Sequence, residues 1–236
     1  MGGTLYVGTS GFAFAEWKGP FYPPELRDGD MLAFYAERFG TVEINYTFRR
    51  DPTEKALTAW HDATPEGFRF SLKANQRITH FFRLGNLEVA NEFLSALGPL
   101  GSRVGPVLFQ CPPNFKHEPG RLSAFLDGVP AGIRYAFEFR HPSWEVERDV
   151  LAERGAAWCV GETDDAPYQG DGSELGAYRF AYLRLRKTAY SDDEMRAWAD
   201  RMAPALASGT DVFCYCKHED KAAGPKFAVR LLEMVT

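Results

Sequence analysis

The sequence predicts an α/β protein of the (β/α)8, or TIM-barrel, class, folded as a single domain over residues 1–236. Three observations lead there. Eight short apolar runs with strand character alternate with helical stretches along the whole chain, the rhythm of a parallel sheet. A length of 236 residues suits one barrel of eight such units. Gly8-Thr9-Ser10-Gly11 is followed by the aromatic and proline-rich stretch Phe12–Pro24 rather than by a helix. That order argues against an open doubly wound sheet, which places a helix directly after its first Gly-rich turn.

Taken in order, the strands are expected at Leu5–Ser10, Thr41–Asn45, Phe68–Lys73, Pro106–Gln110, Arg134–Arg140, Ala156–Glu162, Ala181–Arg186 and Asp211–Lys217. Eight helices are expected with them. Asp51-Pro52-Thr53-Glu54 supplies an N-cap, a proline at the first helical position and an acid at the third. Asn86 caps Leu87–Leu97, and Gly155 follows the helix around Val150–Arg154. Ser191-Asp192-Asp193-Glu194 is a capping box, after which Met195, Trp198, Met202 and Leu206 recur at helical spacing until Gly209. Phe227, Leu231 and Val235 form one stripe of the last helix.

Alternate residues of a barrel strand point to the interior and to the helices. The apolar set is assigned to the helices. This turns Tyr182, Arg184 and Arg186 inward on the seventh strand, Glu138 and Arg140 on the fifth, and Ser71 and Lys73 on the third. It does the same for Glu43 and Asn45, for Leu108 and Gln110, for Trp158, Val160 and Glu162, and for Phe213, Tyr215 and Lys217. Polar inward residues then gather at the C-terminal strand ends, where barrel active sites lie.

Five cations there (Lys73, Arg140, Arg184, Arg186, Lys217) face three acids (Glu43, Glu138, Glu162), in a chain of net charge −5. Such an excess favours a small anionic partner, a phosphate or a carboxylate, which arginine forks bind well. On this reading Arg140, Arg184, Arg186 and Lys217 hold the anion, with Ser10, Asn45 and Gln110 as further contacts. Glu43 or Glu138 moves a proton, and Lys73 stabilises developing charge or acts as a Schiff-base nucleophile. Against it stands simple pairing, Glu43 with Lys73 and Glu138 with Arg140 or Arg184. Trp17 and Trp144 are candidates to stack on a ligand, weighed evenly against packing in a core. Phe21 and Tyr22, beside Pro20, Pro23 and Pro24, read as the core of a folded loop. His141, between Arg140 and Pro142, is the candidate histidine, whereas His80 and His117 read as solvated surface.

Two other functions compete. A divalent-metal isomerase or phosphodiesterase would draw on Glu43, Glu138, Glu162, Asp164, His141 and His218, but no His-x-His pair is present. A nucleotide or single-stranded nucleic-acid binder would use the cations and interleaved aromatics, against an acidic whole of pI about 5.6. No metal and no cofactor are expected. Cys111, Cys159, Cys214 and Cys216 form no Cys-x-x-Cys pair and read as small hydrophobes. Met1-Gly2-Gly3-Thr4 runs into Leu5-Tyr6-Val7 with no basic leader, and no apolar run approaches membrane-spanning length. A cytoplasmic location without a membrane partner is expected; the sequence sets no oligomeric state.

Four stretches carry a resemblance: Gly8-Thr9-Ser10-Gly11, Thr41-Val42-Glu43-Ile44-Asn45, Phe109-Gln110 with Pro112-Pro113-Asn114-Phe115, and Phe137-Glu138-Phe139-Arg140-His141-Pro142-Ser143-Trp144. The chain resembles the domain-of-unknown-function 72 family, also called the YecE-like family, from its first strand to its last helix. The resemblance implies a TIM barrel and brings no activity with it. Departures from the family pattern fall at Phe12, Ala13 and Phe14, at Tyr46 and Arg49, and at Arg186 and Lys187, which gives this chain a more cationic closing edge.

Overall fold

The computed structural model describes residues 2–218 and 220–235. Eight strands run in chain order: β1 (Leu5–Thr9), β2 (Thr41–Ile44), β3 (Arg69–Lys73), β4 (Val104–Cys111), β5 (Tyr135–Phe139), β6 (Ala157–Glu162), β7 (Phe180–Leu185) and β8 (Asp211–Cys216). They form one sheet in the order β1-β8-β7-β6-β5-β4-β3-β2, and β1 and β2, at its two ends, are joined by a parallel bridge between Ser10 and Glu43. This is the (β/α)8 barrel class. The chain divides into two compact units, the first Met1–Glu43 with Val160–Thr236, the second Ile44–Cys159.

In the first unit, the loop after β1 folds on its own aromatic core. Trp17 packs against Phe14, Phe21 and Tyr22, and Phe21 meets Phe34, Tyr35 and Phe39 around α1 (Met31–Ala36). The Tyr35 hydroxyl accepts from the Thr9 amide at 2.8 Å and donates to the Thr41 carbonyl at 3.1 Å, tying β1 to β2. Gly8 allows this approach, because a Cβ there would lie 2.0 Å from the Thr41 carbonyl oxygen. Two helices complete the unit. Ser191 and Glu194 make the expected capping box of the long helix Asp192–Ala207, which buries Met195, Trp198 and Met202. Helix Ala223–Val235 buries Phe227, Ala228 and Leu231.

The second unit holds four helices: α2 (Glu54–Asp62), α3 (Leu87–Ala96), α4 (Arg121–Gly128) and α5 (Arg148–Glu153). Asn86 caps α3 as expected. The cap of α2 differs from expectation. Thr53, in extended conformation, accepts from the Ala56 amide at 3.2 Å, so the helix starts after Pro52. Asp51 instead accepts from the Asn75 side chain at 2.9 Å. A five-residue π-helical turn, Arg77–Phe81, follows β3.

With α6 (Asp192–Ala207) and α7 (Ala223–Val235), seven α-helices stand among the described residues where eight were expected. The connection from β6 to β7 carries only a 3-10 turn, Ser173–Ala177. Its sequence explains this, since Asp164, Asp165, Pro167, Gly170, Asp171 and Gly172 all disfavour a helix interior.

Side-chain facing follows expectation on β7 and β8, where Arg184 pairs in register with Tyr215 and Tyr182 with Phe213, and on β4 and β5, where Gln110 pairs with Glu138. On β6 it is reversed. Trp158 is in register with the helix-facing Phe137, stacks near Phe139 at 5.6 Å, and takes the Arg148 guanidinium of α5 at 4.2 Å. Glu162, in phase with Trp158, accepts from the Trp198 indole of α6 at 2.7 Å and from the Tyr168 amide at 3.2 Å. The small residues Ala157, Cys159 and Gly161 therefore face inward, and Glu162 leaves the interior set.

Replacing Gly8 with alanine puts a methyl group into the Thr41 carbonyl. The G8A variant is expected to lose about 1–3 kcal/mol or more, as overpacked sites do. A urea denaturation midpoint unchanged from wild type would contradict the close approach of β1 and β2.

Candidate functional site

At the C-terminal strand ends of the first unit, the Glu43 carboxylate is fully buried. Such a group persists only if donors replace its lost water. Ser10 Oγ donates to Oε1 at 2.6 Å, Arg184 Nη2 to Oε1 at 2.9 Å, and the Tyr182 hydroxyl to Oε2 at 2.8 Å. Burial opposes ionisation, but the Arg184 charge and the three hydrogen bonds outweigh it and hold the carboxyl below its ordinary range. Arg184 is thus an ion-pair partner of Glu43. A carboxylate held ionised by three donors is a poor proton acceptor near neutral pH. This geometry makes Glu43 an organiser of Ser10, Tyr182 and Arg184.

A second polar chain lies at the strand ends of the second unit. Lys73 Nζ donates to Gln110 Oε1 at 2.7 Å, Gln110 Nε2 donates to Glu138 Oε2 at 2.8 Å, and Arg140 Nε donates to Glu138 Oε1 at 3.1 Å. These are four of the expected residues, brought together in one line from β3, β4 and β5. The Lys73 ammonium also lies 4.0 Å from the centre of the Phe48 ring. Glu138 is buried, whereas the Arg140 side chain is 41% exposed. Arg140 engages Glu138 through Nε, which leaves its terminal nitrogens available to a ligand.

His80 belongs to this cluster and is not the solvated surface residue expected. Its ring sits edge-on to Phe48, centroids 4.9 Å apart at 77°, and its Nδ1 lies 2.9 Å from the buried Thr79 Oγ1. Burial, then Lys73, then Arg140 push the imidazole below its ordinary range. The sequence carries one signal for it, a histidine shortly after the strand that ends in Lys73.

The remaining expected site residues are held as follows. Trp17 and Trp144 are 1% and 0% exposed. Trp144 stacks on Phe139 at 4.2 Å and donates its indole N–H to the Phe115 carbonyl, so both tryptophans pack in cores and neither offers a face to a ligand. His141 caps the turn Pro142–Glu147, with Nδ1 accepting from the Ser143 amide at 3.2 Å. Asn45, half-buried, heads the 3-10 turn Tyr46–Phe48. Arg186 donates its backbone N–H to the Glu162 carbonyl, and Lys217 is exposed at the end of β8. His117, expected in solvent, is instead paired with the buried Glu147 at 2.6 Å, against Trp144.

The carboxylates and histidines considered for a metal are engaged elsewhere. Asp164 accepts from the Thr188 amide, His218 meets the Arg186 carbonyl at 3.0 Å, and Glu162 is taken by Trp198 and Tyr168. Among the described residues no group of three or more His, Cys, Asp or Glu side chains is arranged to hold a metal ion. All four cysteines are free and buried. Burial pushes the Cys111 thiol up, and contact with Cys216 together with burial does the same to Cys214, as for inert packing groups.

A family profile described as "Protein of unknown function DUF72" matches residues 6–236. The UPF0759 protein YecE of Escherichia coli K12 is 31% identical over 156 residues, which cover 64% of this chain and 54% of YecE. The UPF0759 protein YunF of Bacillus subtilis 168 is 28% identical over 183 residues, 72% of this chain and 63% of YunF. The matches thus span only about half to somewhat under two thirds of these relatives' own lengths. A crystal structure of a DUF72 family protein from Thermotoga maritima superposes with a TM-score of 0.84 at 24% identity, covering 98% of this chain and 99% of the other. At that identity the likeness speaks to the fold alone, and the fold agrees with the strand order above. With nearly its whole length matched by the family profile, the chain belongs to the DUF72 family.

Proposed function

We propose that the chain binds a small anionic molecule, bearing a phosphate or carboxylate group, at the strand ends of its second unit, and performs acid–base chemistry on it. Carrying this reading is the exposed Arg140 guanidinium, held by Glu138 through Nε and accompanied by Lys73 on the same hydrogen-bonded line. Lys73 and Arg140 are both tied to the Gln110–Glu138 pair, in a chain of net charge −5. A guanidinium with open terminal nitrogens offers two parallel N–H donors to an anion. The His80 imidazole, kept neutral beside the cations, is a proton-transfer group within the same cluster. No helix among the described residues is long and apolar enough to cross a membrane. A cytosolic location accords with four free, buried thiols.

Sulfate titration at low ionic strength tests the site. Wild-type protein is expected to bind sulfate saturably by calorimetry. Lys73→Met and Arg140→Gln should each weaken it about tenfold or more, since a hydrogen bond to a charged group contributes about 1.5–3 kcal/mol. Absent binding, or binding unchanged in R140Q, would overturn the reading.

Glu43 is assigned to stability. Glu43→Gln removes a carboxylate charge paired with the buried Arg184, at a cost of about 3–5 kcal/mol in urea denaturation. The pH dependence has a definite sign. With the folded carboxyl below its unfolded value, Glu43 adds stability at neutral pH, and that stability drains away as pH falls through the ordinary carboxylate range to the folded value. The E43Q variant should therefore show a flatter acid limb than wild type.

A further inference from the structure

His80 sits on the π-helical turn Arg77–Phe81, a wide turn of a kind frequent at functional sites. Both it and Lys73 pack on Phe48. The imidazole meets that ring edge-on, centroids 4.9 Å apart, and the ammonium lies 4.0 Å from the ring centre. Thr79, fully buried, holds Nδ1 at 2.9 Å and fixes the ring's orientation. The charged groups around the imidazole are Lys73 at the end of β3, Arg140 after β5 with Glu138 behind it, and Arg77, exposed on its own turn. In the tautomer that donates Nδ1–H to Thr79 Oγ1, Nε2 carries the lone pair that receives a proton.

We propose that His80 takes up a proton when an anionic ligand occupies this site, and is the acid–base group that acts on that ligand. The proposal rests on the anion reading above and adds a residue and a coupling to it. A bound anion offsets the field of Lys73 and Arg140, which lowers the cost of forming an imidazolium beside them. Anion binding and His80 protonation then favour each other, by equal free energies in the two directions. In the chemical step, the imidazolium gives its Nε2 proton to a basic oxygen or carbon of the substrate next to the anionic group, and the neutral imidazole then takes a proton back from another position of the same molecule. No other reactant is required.

NMR titration of the His80 ring and calorimetry with sulfate test this. Sulfate is used because it does not itself titrate near neutral pH. In the free protein the His80 midpoint should lie below the ordinary value of about 6.5, and it should rise both in Lys73→Met and in wild type saturated with sulfate. Calorimetry in two buffers of different ionisation enthalpy should show net proton uptake with sulfate by wild type. His80→Gln should bind sulfate without that uptake. A midpoint unmoved by bound sulfate, or proton uptake that persists in H80Q, overturns the role of His80 and leaves the anion site standing. If sulfate does not bind at all, the anion reading itself fails, and this inference with it.

Discussion

A carboxylate with no access to water is stable only where protein donors take over its hydration, and Glu43 is in that position. Its donors come from the end of β1 (Ser10) and from β7 (Tyr182 and Arg184), so satisfying one charge fixes three strands against each other within the first unit. The Tyr35 hydroxyl reinforces this nearby by linking Thr9 to Thr41, and the Thr41 and Tyr215 hydroxyls meet at 2.9 Å. Side-chain polar bonds thus hold β1 to β2 beside the Ser10–Glu43 bridge. Gly8 belongs to the same constraint, because any side chain there would push Thr41 away. The arrangement also restricts chemistry. A group so fully engaged cannot exchange a proton without dismantling the packing around it.

The distribution of charge differs between the units. In the first, the buried Arg184 is matched directly to Glu43. Glu162, counted from the sequence as a third interior acid, turns instead to the helix side and serves Trp198. In the second unit the carboxylate and its cations remain linked but spread over β3, β4, β5 and the residue after β5.

Much of this was legible in the sequence wherever alternation was clean. Tyr182-Leu183-Arg184-Leu185 and Phe137-Glu138-Phe139 each have one polar and one apolar phase, and a period of two leaves one way to bury the apolar phase. Ala157-Trp158-Cys159-Val160-Gly161-Glu162 has no such contrast. Its polar end was the only guide to phase, and the bulk of Trp158, which needs the space beneath α5, decided otherwise. Caps were readable where one residue alone could serve, as with Asn86 and Ser191. Asp51 and Thr53 were both competent, and the start of α2 after Pro52 selected Thr53. Trp17, Trp144 and His80 lay beyond the sequence because their surroundings come from residues distant in the chain or, for His80, from a π-turn that no periodicity announces.

The Gln110 amide lies between a lysine and a glutamate and bonds to both. An amide accepts at one end and donates at the other, so Lys73 and Glu138 together fix which way it points. It joins the ammonium to the carboxylate through a neutral dipole and so ties β3 to β5 by way of β4. The Lys73 ammonium also lies over the Phe48 ring, and its charge opposes protonation of His80. Gln110 thus holds a cation in place at the strand ends of the second unit, as Arg184 holds a buried acid in the first.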